Sequence, residues 1–285
     1  MTVKETELAQ KTPRPTSPAG NWTRRILIAA VVLYVGVLIL APIGALVIGA
    51  FEEGIRAILE ALSQPDVLAA FWLTIKISLV VVAVQLVFGT LIAWVLVRDP
   101  FRGSELINGL IDMPFAISPV VVGYMLLLLF GRNGLLAPVL TALDINVAFA
   151  VPGMVLATLF VTLPFMIREL IPMLEAFGVQ QEQSAATMGA SSWQIFWRIT
   201  LPALRWGLIY GVSLTFARAL GEFGAVLVIG GGIQGRTETA TLYIYRALDE
   251  RQYVGAHSAA IVLGLLSLTL VVGTNLLRRH EAKRS

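Results

Sequence analysis

Arg218 and Glu222 stand four residues apart inside the apolar run "LIYGVSLTFARALGEFGAVLVIGG". A lone charge near the centre of a bilayer costs roughly 2.5–3.5 kcal/mol, so each demands a partner or a water-lined cavity. On a helix, i,i+4 spacing puts both on one face, where they offset each other. Two chemistries are open. One is a structural ion pair inside a bundle. The other is an anion contact, with a permanently charged arginine offering its planar donor fork and the carboxylate holding it in place. "DMPFAISP" (112–119) adds a related feature. Pro114 and Pro119 interrupt helical bonding, which a membrane tolerates where backbone lines a cavity or is buried in protein. Ser118 can offer a hydroxyl there, and a Pro-kinked packing helix is the plainer alternative.

Bond chemistry is poorly supplied. The chain has no cysteine and only His257 and His280, which excludes disulfides, thiol catalysis and Cys-ligated metal and leaves no His-rich metal site. A phosphate-binding P-loop needs a glycine-rich turn followed by Lys. The lysines are Lys4, Lys11, Lys76 and Lys283, and none follows glycine. Any work against a gradient must draw energy from another subunit or from an ion gradient.

The polar stretch "AATMGASSWQIFWRITLP" (185–202) is the next constellation. Ser191 with Gln194 three residues later is a capping box. The short helix it starts carries Trp193, Phe196 and Trp197 as an apolar stripe beside Gln194 and Arg198. Gly189 ends a preceding short helix, and Pro202 fits the first turn of the following span. A helix this short is marginal alone in water and must pack on something. It rests either on its own span ends or on a cytoplasmic partner.

The elements that position these groups are set by hydropathy. The 285 residues are 57% hydrophobic and 14% charged, and apolar runs near 20 residues recur, so the chain reads as an all-α polytopic membrane bundle. Six spans are expected at 26–50, 71–97, 106–130, 147–168, 205–230 and 256–277. Trp72 and Trp94 frame the second, about 33 Å of helix apart, as interface anchors. Residues 51–64 are too polar to span and predict a surface helix. The first 25 residues, polar and Pro-rich, read as a solvated, partly disordered tail rather than a cleavable signal peptide, and 278–285 as a basic tail.

Lys and Arg set the orientation. With both termini cytoplasmic, the inner side holds 14 of the 21: five in the tail, two at 98–102, three at 168–205 and four from Arg278. Five lie outside, and Lys76 and Arg218 lie within spans. This bias supports cytoplasmic termini and a cytoplasmic loop over 169–204. The net charge of +3 follows from these flanks and does not point to nucleic acid.

Gly189, nine residues, Ile199, one residue, then Leu201 and Pro202 resemble the second half of the EAA loop of ABC importer permeases. In the first half Gln183, Ser184 and Ala185 replace the usual Glu, Ala and Ala, and an acid stands one residue earlier at Glu182. The segments "WLTIKISL", "DMPFAISPVVVG", "FGRNG", "FVTLPFMIREL", "ARALGEFGAVLVIGG" and "GGIQGRTE" occur in order. Together they resemble the CysW-type permeases of sulfate/thiosulfate ABC importers, over most of the chain from about 40 onward. The resemblance implies a type I importer permease fold, a bacterial inner-membrane location and alternating access without a cofactor in this chain. It also implies partners: a CysT-type second permease, two ATP-binding subunits carrying ATP and Mg, and a periplasmic sulfate/thiosulfate-binding protein. Docking of the ATP-binding subunit then falls on Glu182, Gln183, Ser184, Ala185, Gly189, Ser191, Trp193, Ile199, Leu201 and Pro202. Ser118, Arg218 and Glu222 become the candidate pathway residues. Molybdate or tungstate as cargo and an ion-coupled secondary transporter are the competing readings.

Overall fold

A computed structural model describes residues 21–99 and 101–281. Helices and short connections account for all of them, with no strand among the described residues. The chain divides at Ile48 into two units. The described part of the first lies within α1 (Asn21–Phe51), a 31-residue helix about 46 Å long. Ile26, Val31, Leu38 and Ile48 along it are all exposed, as suits a helix solvated by lipid. The helix starts inside the stretch expected to be tail; residues 1–20 and 282–285 lie outside the described residues.

The second unit continues with α2 (Ile55–Leu62), α3 (Pro65–Arg98), α4 (Ser104–Ala116), α5 (Pro119–Phe130), α6 (Ala137–Ala142) and α7 (Val151–Phe177). The polar loop follows as α8 (Gln180–Thr187), α9 (Ser192–Ile195), a π turn (Phe196–Thr200) and α10 (Leu201–Ala203). Last come α11 (Arg205–Leu220), α12 (Gly224–Gly230), α13 (Ala240–Asp249) and α14 (Tyr253–Glu281). Among the described residues, four helices are long and apolar enough to cross a membrane, or up to six if each of two bent pairs is one span.

The first of those bent pairs corrects the expected third span, and a separate break corrects the fifth. Between α4 and α5 the axis turns by 112°. Pro119 opens α5, and the residue before a proline is driven out of the helical region; Ser118 and Ile117 are both extended, at ψ 135° and 131°. Pro114, expected to interrupt helical bonding as well, stays inside α4. The run at 205–230 is likewise two helices, broken at Gly221–Phe223.

The α7 helix is the centre of the second unit. Its Met166, Ile167, Leu170 and Leu174 are fully buried against Ala93 of α3, Ile111 of α4 and Leu204. Lipid tails are as apolar as these side chains, so close packing rather than escape from water holds such helices together. The α5–α12 crossing shows this. A Cβ on Gly123 would stand 2.6 Å from the carbonyl oxygen of Ala225 and 2.8 Å from Val228 Cβ. A Cβ on Gly224 would likewise stand 3.1 Å from Val120 Cγ2, whereas one on Gly221 would meet nothing nearer than 3.9 Å. Close packing was expected at both glycines and holds for Gly224. Gly123→Val should therefore lower stability by about 1–3 kcal/mol through overpacking, read as a lower thermal midpoint of the purified chain in detergent.

On the side expected to face outward, α13 is pinned by Arg246, which donates to both oxygens of buried Glu238 at 2.6 and 3.2 Å and to Glu250 at 3.0 Å. The hydrogen bond to Glu238 pushes the guanidinium pKa up, and burial does the same for the Tyr243 phenol. The surface helix expected over 51–64 is α2, whose Leu62 joins the cluster around Val67 and Ala256.

Candidate functional site

Local chemistry builds the polar loop as expected. Ser191 Oγ accepts from the Gln194 amide at 3.4 Å, and Gln194 Oε1 accepts from the Ser191 amide at 2.9 Å. At φ +87° Gly189 closes α8, with the Ala190 amide bonded to the Ala185 carbonyl at 3.1 Å. The short helix does not stop before the next span. Pro202 has no N–H for the carbonyl of Arg198, and its ring would crowd that carbonyl. The helix widens instead into a π turn in which the Leu201 amide reaches Phe196, then bends by 68° into α11.

The expected docking residues divide by exposure. Gln183, Ser184, Gly189, Ser191, Trp193 and Pro202 are exposed, while Ala185 is buried and Ile199 and Leu201 are half-buried. Trp193 is 70% exposed and Met188 81%. The aromatic stripe splits as well. Trp193 and Trp197 meet edge to face at 5.4 Å on the outside, whereas Phe196 turns inward onto Trp94 of α3 at 5.9 Å.

Glu182, expected on the docking surface, turns into the chain. Its Oε2 lies 2.8 Å from Arg98 Nε, and its Oε1 accepts from the Thr200 hydroxyl at 2.6 Å. Arg98 also donates to the carbonyls of Gly178 at 2.7 Å and Leu174 at 3.3 Å. Those are end-of-helix acceptors of α7, left without intrahelical donors and carrying the negative end of its dipole. With side chains only 9% and 14% exposed, neither member of the pair can lose its partner cheaply; removing one would cost about 3–5 kcal/mol.

The second constellation lies where α4, α5, α7 and α11 meet. A cleft of about 430 Å³ opens at the α4–α5 break, lined by Ser118, Phe115, Val161, Phe165 and Arg218. Arg218 Nη2 is 2.9 Å from Glu222 Oε2. The pair forms across the break rather than along one continuous helix. Arg218 sits in the last turn of α11, and Glu222, 2% exposed, accepts from the Ala225 amide at 3.1 Å in the first turn of α12. Each charge thus complements the helix end it occupies. Arg218 remains 28% exposed and lines the cleft. Toward the loop side, Phe115 and Phe165 meet edge to face at 5.5 Å. One turn further, Arg168 grips Asp112 with two bonds of 2.7 Å and the Asn108 carbonyl with one of 3.1 Å. No group of three or more His, Cys, Asp or Glu able to hold a metal occurs among the described residues.

Residues 85–284 match the family described as the binding-protein-dependent transport system inner membrane component. The chain belongs to that family. Over 251 residues this inner membrane component is 48% identical to the chloroplastic sulfate permease 2 of Chlamydomonas reinhardtii, covering 88% of this chain and 68% of that protein. Over 255 residues it is 44% identical to the sulfate transport system permease protein CysW of Synechocystis sp., covering 90% and 92% of the two. In fold it is similar to a chain of a bacterial alginate ABC transporter solved in complex with an alginate pentasaccharide-bound periplasmic protein. The TM-score is 0.77 at 18% identity, over 92% of this chain and 96% of the other.

As an inner membrane component of this kind, the chain is a multi-pass helical membrane protein. Of its expected pathway residues, the structure brings Ser118 and Arg218 to one cleft, with Glu222 buried behind Arg218. Sequence reasoning missed the Arg168–Asp112 clasp and the Phe115–Phe165 contact. The available signal was two opposite charges at the inner ends of the expected third and fourth spans. It also missed Arg98 as the partner of Glu182, for which the chain offers no local signal.

Proposed function

We propose that this chain is the CysW-type permease subunit of an ATP-driven sulfate/thiosulfate importer in a bacterial inner membrane, with both termini cytoplasmic. It works with a CysT-type second permease, two ATP-binding subunits that carry ATP and Mg, and a periplasmic binding protein that delivers the anion. The observation that carries the reading is the identity with two sulfate permeases over about nine tenths of the chain. The Arg218 cleft supports it: an anion entering would meet a guanidinium already oriented by a buried carboxylate, suited to an oxyanion. Because Glu222 offsets part of that charge, binding stays weak enough for release, as a permeation site requires.

The exposed face of the polar loop, around Met188, Trp193 and Trp197, receives the ATP-binding subunit. Closure of that subunit on ATP displaces the loop and tilts the spans between inward-open and outward-open states, a rigid-body two-state change. Below the cleft, the Phe115–Phe165 contact forms the apolar constriction of the route.

Uptake of labelled sulfate into liposomes holding the purified importer tests this. Sulfate should enter only with ATP, excess thiosulfate should compete, and excess molybdate should not. No uptake of labelled sulfate, with ATP-dependent uptake of molybdate that excess sulfate leaves unchanged, would assign the other oxyanion class. Uptake by this chain alone, abolished by an uncoupler and independent of ATP, would make it a secondary transporter.

A further inference from the structure

We propose that Arg98 and Glu182 form the linkage through which movement of the polar loop reaches the membrane spans. The proposal rests on the reading above that an ATP-binding subunit docks on that loop.

Four elements converge on this one pair. Arg98 is the last residue of α3. Its guanidinium caps the end of α7 through the Leu174 and Gly178 carbonyls and meets Glu182 in the first turn of α8. The remaining oxygen of Glu182 takes the hydroxyl of fully buried Thr200, in the π turn that leads into α11. Each contact in the set has a charged member, which makes it stronger than a neutral one; the shortest bonds are Arg98 to the Gly178 carbonyl at 2.7 Å and Thr200 to Glu182 at 2.6 Å. Apolar contacts between helices let side chains slide over one another; a fork held by a carboxylate and two carbonyls fixes distance and angle. A push on α8 therefore moves the ends of α3 and α7 and the start of α11 together. Trp94, one turn before Arg98, adds an apolar strut to the same π turn through Phe196.

The pair also separates holding from docking. Glu182 lies on the inner side of α8, while Gln183 and Ser184 beside it are exposed. The acid of this loop thus joins the loop to its own spans, and the exposed face is left for the partner. Lysine at 98 would supply the charge without the fork, so Arg98→Lys removes the geometry and keeps the electrostatics.

The test uses the purified importer, this chain with its second permease and ATP-binding subunits, in liposomes. Arg98→Lys and Glu182→Gln should each retain the ATP-binding subunits and hydrolyse ATP. The anion moved per ATP should fall about tenfold in each, the loss expected when a charge-assisted bond is weakened. The double variant should fall no further than either single one, because the two residues act as a unit. In the purified chain alone, hydrogen exchange at the α8 amides should rise about tenfold in each variant as the loop loosens from the spans. A wild-type anion-to-ATP ratio in both single variants overturns the proposal, as does unchanged exchange at α8. Transport and ATP hydrolysis falling in parallel at a constant ratio also overturn it, since that marks packing alone. If the wild-type importer binds no ATP-binding subunit, the functional reading fails instead, and exchange at α8 still reports whether the linkage holds the loop.

Discussion

Replacing Arg218 by glutamine in the assembled importer is expected to reduce sulfate uptake about 10–100-fold, the equivalent of one charge-assisted hydrogen bond to the passing anion. Stability should fall too, by about 3 kcal/mol, because Glu222 is left buried and charged without its partner. Glu222 is only 2% exposed and lies 2.9 Å from Arg218. Adding Glu222→Gln separates the two effects. The amide oxygen at 222 can still accept from the Ala225 amide, so the double variant should regain most of the lost stability. Uptake should stay low, because the cleft at the α4–α5 break then lacks its arginine. Thermal unfolding in detergent and uptake in liposomes read the two quantities. Wild-type uptake by the double variant would leave Arg218 with a structural role only.

Trp193→Ala should weaken association with the ATP-binding subunit by about 2 kcal/mol, close to 30-fold, the loss typical of an exposed aromatic that anchors an interface. The chain's own stability should change by no more than about 0.5 kcal/mol, because the ring is 70% exposed and meets Trp197 edge to face on the outside of the loop. Gly189→Val offers a second probe of the same face. The position is open around its Cα, but φ is +87°, a conformation β-branched residues avoid. Such a change re-aims α9 without touching the spans. Titration of the detergent-solubilised permeases with the ATP-binding subunit measures both variants. Wild-type affinity for Trp193→Ala and Gly189→Val would remove the docking role from this loop.

Much of the polar loop was legible in the chain because its determinants are local. The Ser191–Gln194 box closes over three residues, and glycine at 189 ends a helix wherever its neighbours pack. Pro202 was expected in the first turn of the following span, whereas it sits in α10 between a π turn and a 68° bend, a form that depends on how far Phe196 and Thr200 sink against α3 and α8. The third span repeats the lesson. Pro119 predicts a break, whereas a bend of 112° follows from where α12 packs, with Gly123 against the Ala225 carbonyl. In the fifth, "ARALGEFGAV" reads as one apolar helix because nothing local forbids it. The break at Gly221–Phe223 exists because Glu222 caps α12 and Thr241 of the following segment bonds the Glu222 carbonyl at 2.6 Å.

What the sequence determined by itself is the class of protein, the approximate spans and the caps of the loop. These follow from bilayer thickness, helical rise and contacts three or four residues apart, all of which act within one stretch of chain. What only the tertiary structure decided is which charge meets which. Arg98 finds Glu182 across 84 residues and Arg168 finds Asp112 across 56. The reason is physical: in a low-dielectric interior a charge must be paired, but which partner is near is set by how α3, α4, α7 and α8 pack. That packing turned Glu182 from an expected docking contact into the anchor of its own loop.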